Sequence, residues 1–112
     1  MRQDGKIDYV EFPATDLPAV KDFYASAFGW TFIDYGPSYT AIDPAAGLDG
    51  GFATDGPAKP LVILYATNLE AMETKVKASG GTITVPIFAF PGGRRFHFQD
   101  PAGNELAVWS ET

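Results

Sequence analysis

The chain has no cysteine and a single histidine among its 112 residues. Without cysteine there is no disulfide, no thiol nucleophile and no thiolate metal site, and a reducing compartment, the cytoplasm, is the expected location. Basic residues are also scarce. Eight Lys and Arg stand against fourteen Asp and Glu, giving a formal charge of -6 and a pI near 4.5. Such a surface repels a phosphate backbone, and apart from Arg94-Arg95 the cations are scattered, so nucleic acid is not an expected partner. No apolar run approaches the roughly 20 residues that span a bilayer, and the opening MRQDGKID lacks the apolar stretch of a secretory leader. Neither a membrane nor export is expected. Nucleophile triads, phosphate loops and zinc motifs are likewise missing.

What the chain does contain, it says twice. YVEFPATDLPAVKDFYASAFGW from Tyr9 can be laid on LVILYATNLEAMETKVKASGGT from Leu61, an offset of 52 residues (61 minus 9). That pairs Val10 with Val62, Ala14 with Ala66, Thr15 with Thr67, Leu17 with Leu69, Ala19 with Ala71 and Gly29 with Gly81, while Asp16 meets Asn68. Each copy reads as a strand, a helix start and a helix stopped by glycine. Thr15 or Asp16, and Thr67 or Asn68, can cap the orphan amides of a helix N-terminus, and Gly29 and Gly81 are placed to end the helices in the left-handed conformation. The first helix should turn Val20, Phe23, Tyr24 and Phe28 to one face, the second Met72, Val76 and Ser79. Beyond the helices, DPAAGLDGGFA from Asp43 echoes DPAGNELAVWS from Asp100, with a tight Asp-Pro-Ala turn in each. The expected fold is α+β, with strand, helix and about three strands performed twice. Module one covers about residues 5–54 and module two about 59–111.

Alternation along a strand assigns faces. Val10 and Phe12 should pack under the helices, with Tyr9 and Glu11 pointing the other way, toward a cleft. Phe96, Phe98, Leu106 and Val108 should go to the core. Arg95, His97 and Gln99, with Glu105, Ala107 and Trp109, should go to the cleft, where the turn echo also puts Phe52, level with Trp109. Tyr65 joins the aromatic set. The candidate ligand-binding residues are therefore Tyr9, Glu11, Phe52, Tyr65, Arg95, His97, Glu105 and Trp109, a mixture of aromatic and ionisable side chains that suits a small-molecule pocket. Glu11 reads either as a catalytic base, if neighbouring rings desolvate it, or as a carboxylate on a wet wall. The rings of Tyr9, Phe52, Tyr65 and Trp109 can stack a flat or aliphatic guest or form a dimer seam. Asp43 and Asp100 read as turn residues.

Taken together, ATDLPAVKDFYASAFGW, FPGGRRFHFQDPAGN, the glycines preceding Pro86 and the duplication itself resemble the vicinal oxygen chelate superfamily, which holds glyoxalase I, bleomycin-resistance proteins and extradiol dioxygenases. The resemblance covers essentially the whole chain. It implies two tandem βαβββ modules forming an open, cupped mixed sheet with helices on the outer face, and a homodimer for a one-domain member. It also implies a metal ligand in each of four strands, and those places fall here on Tyr9, Gly50, Leu61 and Ala107. None of them supplies the family's histidine or glutamate. The expectation is a glyoxalase or bleomycin-resistance-like protein that binds a small organic molecule without a metal cofactor. The alternative is a metal-dependent lyase, isomerase or dioxygenase of lactoylglutathione-lyase type, with Glu11 as base and a divalent ion at a nonstandard cluster of Glu11, His97 and Glu105.

Overall fold

The computed structural model describes residues 2–44, 47–56 and 58–112. The element order is β1 (Ile7–Pro13), α1 (Leu17–Phe28), β2 (Phe32–Asp34), β3 (Tyr39–Ile42), β4 (Gly50–Ala53), β5 (Leu61–Tyr65), α2 (Leu69–Ala78), β6 (Thr82–Phe90), β7 (Gly93–Gln99) and β8 (Glu105–Ser110). Among the described residues this is an α+β fold in which strand, helix and three strands occur twice, as the internal repeat implies. Two compact units result: Tyr9–Leu61, and Val62–Thr112 together with the N-terminal segment through Asp8.

Each unit carries a mixed sheet that does not close on itself. In the first, the strand order is β2-β3-β4-β1, with β1 and β4 parallel and the remaining pairs antiparallel. The second repeats this as β5-β8-β7-β6, with β5 and β8 parallel. The helices begin where side-chain acceptors meet orphan amides. Asp16 accepts from Ala19 N at 3.1 Å and Asn68 from Ala71 N at 3.0 Å, contacts of a kind that contribute about 1 kcal/mol each. Gly29, at φ 73°, ends α1. The second helix ends differently from expectation. Ser79 is its cap, the left-handed residue is Gly80 at φ 104°, and Gly81 is needed for proximity, because a Cβ there would lie 2.6 Å from Val76 Cγ1.

Each helix covers one face of its own sheet. Leu17, Ile42 and Phe52 form the first core, with Phe12, Val20, Tyr24, Trp30 and Phe32 packed on it. Phe23 and Phe28 do not join it: they are 58% and 63% exposed, so the buried stripe of α1 is narrower than its run of aromatics suggests. Ala66, Leu69, Phe96 and Val108 form the second core, with Leu64, Met72, Val76, Ile83 and Phe98 against it.

The strand registers correct one expectation. Glu11 pairs with Gly51 and Phe12 with Phe52, while their repeat equivalents Ile63 and Leu64 pair with Ala107 and Val108. Phe52 is thus the counterpart of Val108, a core residue, and not of Trp109. Aligning Asp43 with Asp100 misses one extra residue in the first module: Gly51 lies eight beyond Asp43, Ala107 seven beyond Asp100. A one-residue slip in a strand reverses every side chain, and it sends Phe52 (3% exposed) under α1. The Asp-Pro-Ala turn assigned to 43–45 ends on Ala45, which lies outside the described residues.

Candidate functional site

On the first module's sheet face away from α1, Tyr9, Glu11, Tyr39 and Gly51 lie together. The Tyr9 and Tyr39 hydroxyls are hydrogen-bonded, and they rest close over Gly51, where a Cβ would lie 2.6 Å from the Tyr9 hydroxyl oxygen and would force the rings to shift. By contrast, a Cβ at Gly50 would meet Val10 O at 2.6 Å and Ile42 Cδ1 at 3.2 Å, on the core side. Gly51, rather than Gly50, is therefore the first module's counterpart of Ala107. Burial raises the Tyr9 hydroxyl above the ordinary tyrosine range against the lowering effect of the Tyr39 hydrogen bond, and the Glu11 charge pushes the same way as burial. Glu11 is half-buried with its Oε1 shielded from solvent, beside the turn at Gly56.

In the second module, alternation along β7 and β8 places its residues as the sequence implies. Phe96 and Val108 are in the α2-side core, while Arg95, His97 and Trp109 come from the opposite side of the same strands. His97 is only 5% exposed; its Nδ1 is 3.3 Å from Glu105 Oε2, and its ring is 5.8 Å from that of Phe88. Thr84 donates to the same Glu105 oxygen at 3.1 Å, which fixes the carboxylate from β6. The Arg95 guanidinium sits over the rings of Phe88 and Phe90, at 5.5 and 5.6 Å. Arg94 points elsewhere: Glu70 on α2 accepts from both of its terminal nitrogens, at 2.5 and 3.2 Å.

Trp109 is the hub of an aromatic group. Tyr65 meets it edge-on at 5.5 Å and Phe90 lies 6.3 Å away. Its Nε1 donates to Asp8 Oδ2 at 3.0 Å. Tyr65 donates to Glu111 Oε1 at 3.0 Å, a bond that raises the Tyr65 hydroxyl above its usual range. The structure thus brings Tyr65, Arg95, His97, Glu105 and Trp109 onto strands of one module, and Tyr9 with Glu11 onto the other; Phe52 is removed to the core. Sequence reasoning missed Tyr39, Phe88, Phe90, Asp8 and Arg2. Alternation in the PIFAF run was a usable signal for the two phenylalanines, whereas nothing local marks Asp8 or Arg2.

At the places where the resemblance implies metal ligands, the side chains supply neither histidine nor carboxylate. Leu61, Ala107 and Gly51 offer no side-chain donor, and Tyr9 places its hydroxyl against Tyr39. Among the described residues, no three His, Asp or Glu side chains form a group able to hold an ion. A separate cavity of about 210 Å³ lies on the helix side of the first module, lined by Val10, Phe12, Trp30, Ile42, Leu48, Asp49 and Gly50. Among the described residues, no helix is long and apolar enough to cross a membrane.

The family model described as Glyoxalase/Bleomycin resistance protein/Dioxygenase superfamily matches residues 6–108. CFP32 of Mycobacterium tuberculosis, whose name assigns it provisionally to the glyoxylases, is 28% identical over 96% of this chain and 46% of its own length. The anthracycline biosynthesis protein DnrV of Streptomyces peucetius is 27% identical over 94% of this chain and 46% of its own. The chain therefore spans about half the length of these curated relatives. Among solved structures, methylmalonyl-CoA epimerase from Mycobacterium tuberculosis shares the fold, with a TM-score of 0.73, 11% identity and coverage of 100% of this chain and 91% of that one.

Proposed function

We propose, since the chain belongs to the glyoxalase/bleomycin resistance protein/dioxygenase superfamily, that it binds a small, flat organic molecule on the β5–β8 face of its second module and does so without a metal ion. One observation carries this reading: the half-buried Trp109 ring, flanked by Tyr65 and Phe90, with Arg95 lying over the neighbouring phenylalanines. Stacked rings and a guanidinium plane need no ion to hold an aromatic guest. One relative is named for anthracycline biosynthesis, and anthracyclines are fused-ring aromatics of that shape. A thermal-shift screen of flat aromatic compounds tests it: hits should stabilise the wild type and fail to stabilise Trp109→Leu, and stabilisation that survives the substitution would refute it.

A second reading, an enzyme of lactoylglutathione-lyase type, draws on the His97 and Glu105 contact at 3.3 Å, a carboxylate-oriented imidazole able to pass a proton. His97→Gln should abolish such turnover, and turnover that survives the substitution would refute this reading. We further propose a homodimer, in keeping with the exposed apolar side chains of Phe23, Phe28, Ile33 and Leu48. Sedimentation at micromolar concentration should give twice the chain mass, and a monomer there refutes it.

A further inference from the structure

Trp109 already carries a cation on its ring, and the cation belongs to the chain. Arg2 Cζ lies 5.0 Å from the indole centroid. Its Nε is 3.5 Å from Asp8 Oδ2 and its Nη1 is 3.9 Å from Glu111 Oε2. Both carboxylates are tied to the rings they flank. Asp8 Oδ2 accepts from the Trp109 indole N–H, and Glu111 Oε1 accepts from the Tyr65 hydroxyl. Of the two carboxylates, Asp8 is built into the fold, its side chain only 14% exposed, whereas the side chains of Glu111 and Arg2 are 56% and 44% exposed. The segment carrying Arg2 is anchored just beyond it: Asp4 accepts from Thr67 N and Oγ1 at 2.8 and 2.7 Å, and Gly5 N donates to Tyr65 O at 2.8 Å. Arg95 lies over Phe88 and Phe90.

A tryptophan face beside an edge-on tyrosine, with two carboxylates at the rim, is the chemistry that recognises an organic cation. We propose that this group is a binding site for a small organic ammonium or guanidinium ion and that Arg2 occupies it as a built-in competitor. The inference rests on the reading that Trp109 faces ligand, and adds the charge of the ligand and the means by which its affinity is set. A tethered competitor lowers apparent affinity by the fraction of molecules in which it fills the site. Removing it therefore tightens binding without any new contact.

The test uses choline and its neutral tert-butyl analogue, in which carbon replaces the ammonium nitrogen, titrated into wild type, Arg2→Gln and Arg2→Lys while the Trp109 indole N–H is followed by NMR. Choline should bind Arg2→Gln about tenfold more tightly than wild type, a factor in keeping with one displaced cation–ring contact, and Arg2→Lys should stay near wild type. The neutral analogue should bind Arg2→Gln at least roughly tenfold more weakly than choline. Equal choline affinity in wild type and Arg2→Gln overturns the proposal, as does equal affinity for the two compounds. A flat uncharged aromatic that moves Trp109 when choline does not would overturn the cation claim alone. Silence of Trp109 toward every compound, in variants that melt like the wild type, overturns this inference and the binding reading beneath it.

Discussion

Phe52 stacks on Phe12, ring centroids 5.2 Å apart and planes inclined by 25°, on the side of the first sheet that α1 covers. The pair exists because β1 and β4 run parallel with these two residues in register. Tyr24 adds a third ring 5.4 Å from Phe52 and Trp30 a fourth, 4.7 Å from Tyr24. Phe52→Ala should therefore cost about 3–5 kcal/mol in chemical denaturation, the usual cost of emptying a phenylalanine site in a core. A loss below about 1 kcal/mol would mean that the ring is not packed as described.

Glu11 and Val10 are neighbours on opposite faces of β1, so their substitutions should separate. Val10→Ala enlarges the helix-side cavity and should lose on the order of 1–3 kcal/mol with little effect on ligand choice. Glu11→Gln keeps size and hydrogen-bonding reach, and should melt within about 2 °C of wild type. The reverse ranking in a melting experiment would invert the face assignment.

Among the described residues, four carboxyls are held below their ordinary ranges by hydrogen bonds. Asp4 is held by Thr67, Asp34 by Lys21 and Thr40, Glu70 by Arg94, and Asp100 by Asn104. A folded-state value below the unfolded one gives stability that is complete above the unfolded value and lost as pH falls through the folded one. Stability should be level near neutrality and decline below about pH 4. Asp100→Asn should be less stable than wild type at neutral pH, and the gap should close on acidification. A gap that widens in acid would contradict the sign of the shift.

Zinc, nickel or manganese in modest excess should leave the melting temperature unchanged, because an ion that binds only the native state must raise it. This follows from the places where the resemblance implies ligands, Tyr9, Leu61, Ala107 and, with the register corrected, Gly51 instead of Gly50. A stoichiometric metal retained through purification would refute it.

Much of the fold was legible because its signals are local. Of the cap candidates the repeat offers in each module, Asp16 and Asn68 are the ones that cap, and alternation along β7 and β8 separates Phe96 and Val108 from Arg95 and Trp109. Two things were not legible. The identical Asp-Pro-Ala at 43 and 100 hid one extra residue in the first module, and a strand slipped by one residue exchanges its faces, so Phe52 was assigned to the wrong side. The partner of the Trp109 indole, Asp8, is 101 residues away in sequence. No periodicity encodes such a contact, so the Arg2, Asp8 and Glu111 surroundings of Trp109 emerge only from tertiary structure.

The two tryptophans offer the most direct test of the central claim, because Trp109 lies on the proposed binding face of the second module while Trp30 lines the helix-side cavity of the first. Both indole N–H signals can be followed together as a flat aromatic compound that stabilises the protein is titrated in. The account predicts that the Trp109 signal shifts saturably while the Trp30 signal stays in place. A saturable shift of Trp30 with Trp109 unmoved would put the ligand in the cavity among Val10, Phe12 and Ile42, and would contradict the assignment of function to the Trp109 face.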